Sequence, residues 1–121
     1  MLDSNTFDRL DDDPEVLSML RERRDLRLYV SDVQLAELAA IPDETRQQRL
    51  LGLAKALCFT VSSSGVLAGA KQKHRADASI ATLSLARCDA LVSDDEGLFE
   101  YARNKGVRVL DFDGFVKQYI L

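Results

Sequence analysis

Imidazole and thiol side chains are scarce in this 121-residue chain, which has one histidine, His74, and two cysteines, Cys58 and Cys88. A lone histidine has no spaced partner for a zinc site. The cysteines lie far apart, each in an apolar run, and match neither a metal knuckle nor a C-x-x-C pair. They are expected to be buried, reduced thiols. His74, inside "KQKHR", is expected on the surface rather than as a base. There is no G-x-S-x-G elbow, no P-loop and no G-x-G-x-x-G element, so three common routes to hydrolysis or nucleotide binding are excluded. No apolar run approaches the ~20 residues of a membrane span, and the turn to polar residues at Asp3 speaks against a signal peptide. Two prolines, no repeat and no low-complexity tract fit one soluble, cytoplasmic domain over residues 1–121.

What is present is a globular mix, 46% hydrophobic and 30% charged, enough to bury a core. The formal net charge of −4 argues against a general nucleic-acid coat protein, which needs a basic surface to neutralise phosphates. It does not exclude an enzyme that acts on nucleic acid, because bound divalent cations reverse the local sign. Acidic residues crowd the start (Asp3, Asp8, Asp11, Asp12, Asp13, Glu15), and basic ones follow at 21–27 and again at Lys71, Lys73 and Arg75.

Local signals alternate strand with helix. Residues 1–7 read as a short strand. Asp13-Pro14 then reads as an N-cap with proline at the first helical position. "LRLYV" (26–30) is a second strand, and Ser31 with Gln34 makes a capping box for a short helix to about Ala39. A longer helix follows over 43–57, with "CFTV" (58–61) as a third strand and "SSSG" (62–65) as a loop. Another helix runs from Asp77 to about Arg87, before the strand "ALVS" (90–93). A helix ending at Gly106, the strand "VRVLDF" (107–112) and a terminal helix complete the chain. Strands separated by helices of this length predict an α/β fold, three layers around a central parallel sheet of four to five strands.

In such folds chemistry gathers at the carboxyl ends of the strands. Asp3 lies in the first strand, Glu37 about one turn past the second, Asp77 at the head of a helix, and Asp94 and Asp95 directly after "ALVS". Asp77 and Asp94 also suit simple N-caps, and Glu37 suits a solvated face, so each has a structural alternative. Asp111 and Asp113 are expected to start the terminal helix, and Asp8, Asp11 and Asp12 to lie in a solvated loop. Converging carboxylates repel one another unless a cation neutralises them. A hard ion with oxygen ligands, Mg²⁺ or Mn²⁺, suits such a cluster and suits phosphodiester chemistry.

These residues resemble those of the PIN-domain nucleases, which include the VapC-like toxin ribonucleases of bacterial and archaeal toxin–antitoxin pairs. "LDSNTF" is similar to the family's opening strand and acid, "VQLAEL" to its second acidic segment, "DASIATLSLA" to its third and "ALVSDD" to its fourth. The closing "GVRVLDFDGF" also looks like the family's C-terminal end. The resemblance implies a single PIN-like domain and a metal-dependent endoribonuclease. It implies that Asp3, Glu37, Asp77 and Asp95 are catalytic and hold one or two Mg²⁺ or Mn²⁺ ions. Ser4, Asn5, Ser93 and Asp94 would support them through hydrogen bonds. Lys71, Lys73 and Arg75 are candidates for phosphate contact, with a solvated basic loop as the alternative. RNA is the implied substrate, and the resemblance admits a cognate antitoxin protein and a homodimer as partners. Residues 58–76 depart from the family's usual helical stretch.

Other classes stay open at this point. One is a catalytically inactive PIN-fold binding or scaffold protein. Another is a haloacid-dehalogenase-like phosphatase, although "LDSNT" offers Asn5 where that chemistry needs a second acid. A receiver-like phosphoacceptor needs a lysine after a late strand, where this chain has Arg108.

Overall fold

The computed structural model describes residues 1–62 and 75–121, the side chains of 75–77 and 79 excepted. In chain order the elements are α1 (Ser4–Asp11), α2 (Pro14–Glu22), β1 (Leu28–Ser31), α3 (Asp32–Ala39), α4 (Glu44–Leu57), β2 (Cys58–Val61), α5 (Arg75–Arg87), β3 (Leu91–Val92), α6 (Glu96–Asn104), β4 (Val109–Leu110) and α7 (Phe112–Phe115), which runs into a π-helical segment, Val116–Ile120.

The expected central sheet of four to five strands is not what the described residues form. They are mostly helical, and their strands make two separate two-stranded parallel sheets. One pairs β1 with β2 in the register Leu28↔Cys58 to Ser31↔Val61, and the other pairs Leu91↔Val109 and Val92↔Leu110. The difference begins at the N-terminus. Residues 4–7 are helix, not strand, because the Asp3 carboxylate accepts the Ser4 N–H and the extended backbone of Asp3 caps α1. Thr6, Phe7 and Leu10 are then buried at helical spacing. Leu2 alone is left to pair, as an isolated parallel bridge to Val92. The last strand shrinks for a related reason. Asp111 caps α7 by accepting the Gly114 N–H, which stops β4 at Leu110.

Backbone hydrogen bonds nevertheless tie the first residues to both sheets. The Leu2 N–H donates to Tyr29 O at 2.8 Å, the Asp3 N–H to Val92 O at 3.0 Å, and the Val92 N–H to Met1 O at 2.8 Å. Successive side chains there point to opposite faces, as extended chain requires. Leu2 and Val92 join one apolar cluster with Phe7, Leu10, Val30, Leu50 and Phe115, whereas Met1 and Leu91 join another with Ile80, Leu98 and Val107.

The acidic start is ordered rather than a solvated loop. Asp8 and Asp11 on α1 pair with Arg46 and Arg49 on α4, and Asp13 caps α2 ahead of Pro14. Cys58 and Cys88 are free and half-buried, and burial pushes the Cys58 thiol up to about 12. Among the described residues no helix is long and apolar enough to cross a membrane.

Docking of α1 on the core depends on Phe7, which is fully buried. Phe7→Ala should lower the unfolding free energy by about 3–5 kcal/mol through lost transfer energy and a residual cavity. Urea denaturation measures this, and a loss below about 1 kcal/mol would contradict the docked position of α1.

Candidate acidic site

The carboxyl ends of the paired segments meet at one edge of the molecule. There Asp3 follows the Leu2 bridge, Ser31 ends β1 and starts α3, and Ser93 follows β3. A cleft of about 200 Å³ opens at this edge, lined by Asp3, Ser4, Asn5, Gln34, Glu37, Ile80, Asp95 and Leu98. Three larger cavities, of about 640, 340 and 310 Å³, are lined by none of Asp3, Glu37 and Asp95.

Three of the four acids singled out in the sequence line this cleft from separate elements. Asp3 forms its floor, only 6% exposed, while Glu37 on α3 and Asp95 at the head of α6 are exposed on its rim. Asp77 lies on α5 one turn before the cleft residue Ile80, and its side chain is outside the described residues. Lys71, Lys73 and His74 also lie outside the described residues, as does the side chain of Arg75.

Two serines connect the three acidic residues. The Ser4 Oγ donates to Glu37 Oε2 at 2.7 Å, and the Ser4 N–H donates to Asp3 Oδ1 at 2.9 Å. On the other side the Ser93 Oγ donates to Asp3 Oδ2 at 2.8 Å and accepts the Asp95 N–H at 3.1 Å. Asp95 Oδ1 accepts the Leu98 N–H, so the same carboxylate caps α6. Ser93 is fully buried, which fixes both of its bonds away from competing water.

The remaining support residues divide. Asn5 lines the cleft, and its Oδ1 accepts the Asp94 N–H at 3.5 Å. Asp94 itself is engaged elsewhere. Its carboxylate takes Arg9 at 2.7 Å and the Phe112 N–H at 2.9 Å, while Arg9 also reaches Asp113 and lies over the Phe112 ring. Asp94 therefore fastens α1 to α7 instead of supporting the acids. Two participants escaped the sequence reading. Arg9 carries no local signal, because its partners lie 85 and 104 residues away. Gln34 was visible only as half of a capping box, although it is buried and lines the cleft.

Burial is the main cause that raises the Asp3 carboxyl to about 6. The hydrogen bonds from Ser93 and Ser4 oppose the rise, and the charges of Glu37 and Asp95 add to it. Among the described residues no three His, Cys, Asp or Glu side chains stand close enough to hold a metal ion as they are. The chemistry of the donor set is nonetheless that of a hard-cation site. Its lining offers carboxylate oxygens without imidazole or thiolate, and one of these carboxyls, Asp3, is raised mainly by its burial.

Comparison with known proteins adds no relative: no protein-family model matches the chain, and no curated protein matches its sequence.

The raised Asp3 has a signed consequence for stability. Its folded-state pKa lies above the unfolded value, so between about pH 4 and 6 the folded state binds the extra proton. The wild type should thus lose up to about 3 kcal/mol as pH rises from 4 to 7 on account of this group. Asp3→Asn should remove that slope. Urea unfolding at pH 4, 5, 6 and 7 compares the two, and parallel profiles would contradict the assigned environment of Asp3.

Proposed function

We propose that the acidic cleft binds one or two Mg²⁺ or Mn²⁺ ions and hydrolyses RNA phosphodiester bonds. The observation that supports this most is the convergence of Asp3, Glu37 and Asp95, from three separate elements, on one cleft in which burial, and to a smaller extent the charges of Glu37 and Asp95, raises Asp3. Such an arrangement is unfavourable on its own and becomes favourable when a cation occupies it. When bound, the cation supplies Lewis-acid stabilisation of the charge on the phosphate. Asp3, Glu37 and Asp95 would hold it directly or through water, with Asp77 as a fourth acid from α5. Ser4 and Ser93 keep the Asp3 and Glu37 carboxylates in fixed orientations, the Leu98 N–H holds that of Asp95, and Ile80 and Leu98 supply an apolar wall that limits water at the floor.

The role of a toxin ribonuclease with a cognate antitoxin, and assembly as a homodimer, extend this reading on the strength of the sequence resemblance. In the phosphatase alternative the position two residues after Asp3 has to be a proton donor, and here it is Asn5, whose Oδ1 accepts a backbone N–H. A catalytically inactive scaffold is separated from the enzyme by the assay below.

Purified protein should cleave single-stranded RNA with Mg²⁺ or Mn²⁺ and lose all cleavage in EDTA. Asp3→Asn and Asp95→Asn should remove activity while keeping the circular dichroism spectrum. Ser93→Ala should lower activity or metal affinity by about 10- to 100-fold, the usual effect of removing a group that orients a ligand. EDTA-resistant cleavage, or full activity in Asp3→Asn, would overturn the proposal.

Cation binding also gives a stability readout. At pH 7 a saturating cation at about 100 times its dissociation constant should raise the unfolding free energy by about 2.7 kcal/mol. The gain should shrink at pH 5, where Asp3 is protonated, and vanish in Asp3→Asn. Thermal denaturation with and without Mn²⁺ measures it.

A further inference from the structure

We propose that the edge opposite the acidic cleft is a second contact for single-stranded RNA, where Arg24, Arg27 and Arg87 hold phosphates and an adjoining cavity takes a base. This rests on RNA as the substrate, as proposed above, and says where the strand is held beyond the cleft. The acidic cleft lies at the carboxyl ends of the parallel segments. Their amino ends, at Met1–Leu2, the start of β1 and the residues before β3, surround a cavity of about 310 Å³. Arg27 and Tyr29 line it from one segment, Arg87 from the end of α5, and Phe115 and Tyr119 from the C-terminal helical stretch.

The charge at this edge differs from that of the chain, whose formal net charge is −4. Arg21, Arg24, Arg27 and Arg87 are exposed there, and none makes an ion pair with a described residue. Arg9, Arg46 and Arg49, by contrast, are each held by aspartate. Arg21 and Arg87 stand in the last turns of α2 and α5, where a cation suits the helix dipole whether or not anything binds. Arg24 and Arg27 lie in the connection between α2 and β1, where no helix dipole accounts for them. Asp25 is taken by Arg23 through two hydrogen bonds of 2.7 Å, which leaves Glu22 and Asp89 against the four arginines. Positive charge is therefore in excess. Arginine grips a phosphate through two N–H groups and also lies flat on a base. The cavity is at the small end of ligand pockets, and its apolar and aromatic lining suits one unpaired base rather than a base pair. Cationic side chains beside aromatic residues are the combination that holds single-stranded nucleic acid. Without a cation the acidic cleft repels RNA, so this edge is then the place that attracts it.

The test uses the whole protein in EDTA, with a fluorescein-labelled oligouridylate as probe and anisotropy as the readout across a salt series. Wild type should bind with a dissociation constant on the order of 10–100 µM at about 0.1 M salt. Each arginine that contacts a phosphate contributes about 0.7 to the slope of log affinity against log salt, so Arg24→Ala/Arg27→Ala should flatten it by about 1.4 and Arg87→Ala by about 0.7. Arg49→Ala removes the same charge from α4, away from this edge, and should leave the slope unchanged. Inorganic polyphosphate of equal charge should compete at least about fivefold more weakly than unlabelled oligouridylate, because it has no base to stack. Equal loss in Arg49→Ala, an unchanged slope in the two edge variants, or equal competition by polyphosphate overturns the proposal. So does a wild type that binds no RNA in EDTA, and each of these results leaves the hydrolytic reading standing. Arginine-dependent binding without cleavage on adding Mg²⁺ or Mn²⁺ upholds this contact and overturns the hydrolytic reading instead.

Discussion

The segment Met1–Asp3 runs between two small sheets and gives its backbone hydrogen bonds to both. Neither sheet is large, and β3 and β4 contribute two residues each. Their mutual placement depends on Leu2 and on the bonds to Tyr29 and Val92. Because Asp3 is the next residue, its carboxylate is carried to the edge by the same bonds that hold the sheets together. Burial of Asp3 is therefore a consequence of chain path, and its raised protonation follows from that burial.

Two serines then convert a set of nearby acids into a connected one. Ser4 and Ser93 each bond to Asp3 and each reach a second acid, Glu37 through its side chain and Asp95 through its main chain. Such bonds favour the ionised form of Asp3 and oppose the burial that disfavours it. The result is a carboxyl poised within reach of neutral pH. A group so placed responds strongly to any neighbouring positive charge, which is the property a cation site requires.

Parts of this were legible in the sequence, and the reasons for the rest are physical. Asp3, Glu37 and Asp95 stood out because each follows an apolar segment, and the structure brings these three to one cleft. The capping signals at Asp13-Pro14 and Ser31–Gln34 are local chemistry, and both helices start there. Alternation of strand and helix was read correctly for β1, β2 and β3, but it overstated the sheet. Residues 4–7 contain Thr6 and Phe7, which favour strands on average, and the Asp3 cap outweighs that preference. Asp94 and Asp95 are adjacent and chemically identical, so only tertiary partners distinguish them. Arg9 and the Phe112 N–H claim the first, and Ser93 orients the second.

The caps have a further effect on the cleft. Asp3 sits at the N-terminus of α1 and Asp95 at that of α6, so the positive ends of two helix dipoles meet the acids before any ion arrives. This partial neutralisation lets three carboxylates share one edge without forcing it apart. It also weakens the field that an incoming cation feels. On the proposed reading the geometry trades grip for preorganisation: a cation in the cleft would follow the ambient ion concentration, and the cleft would keep its shape without one.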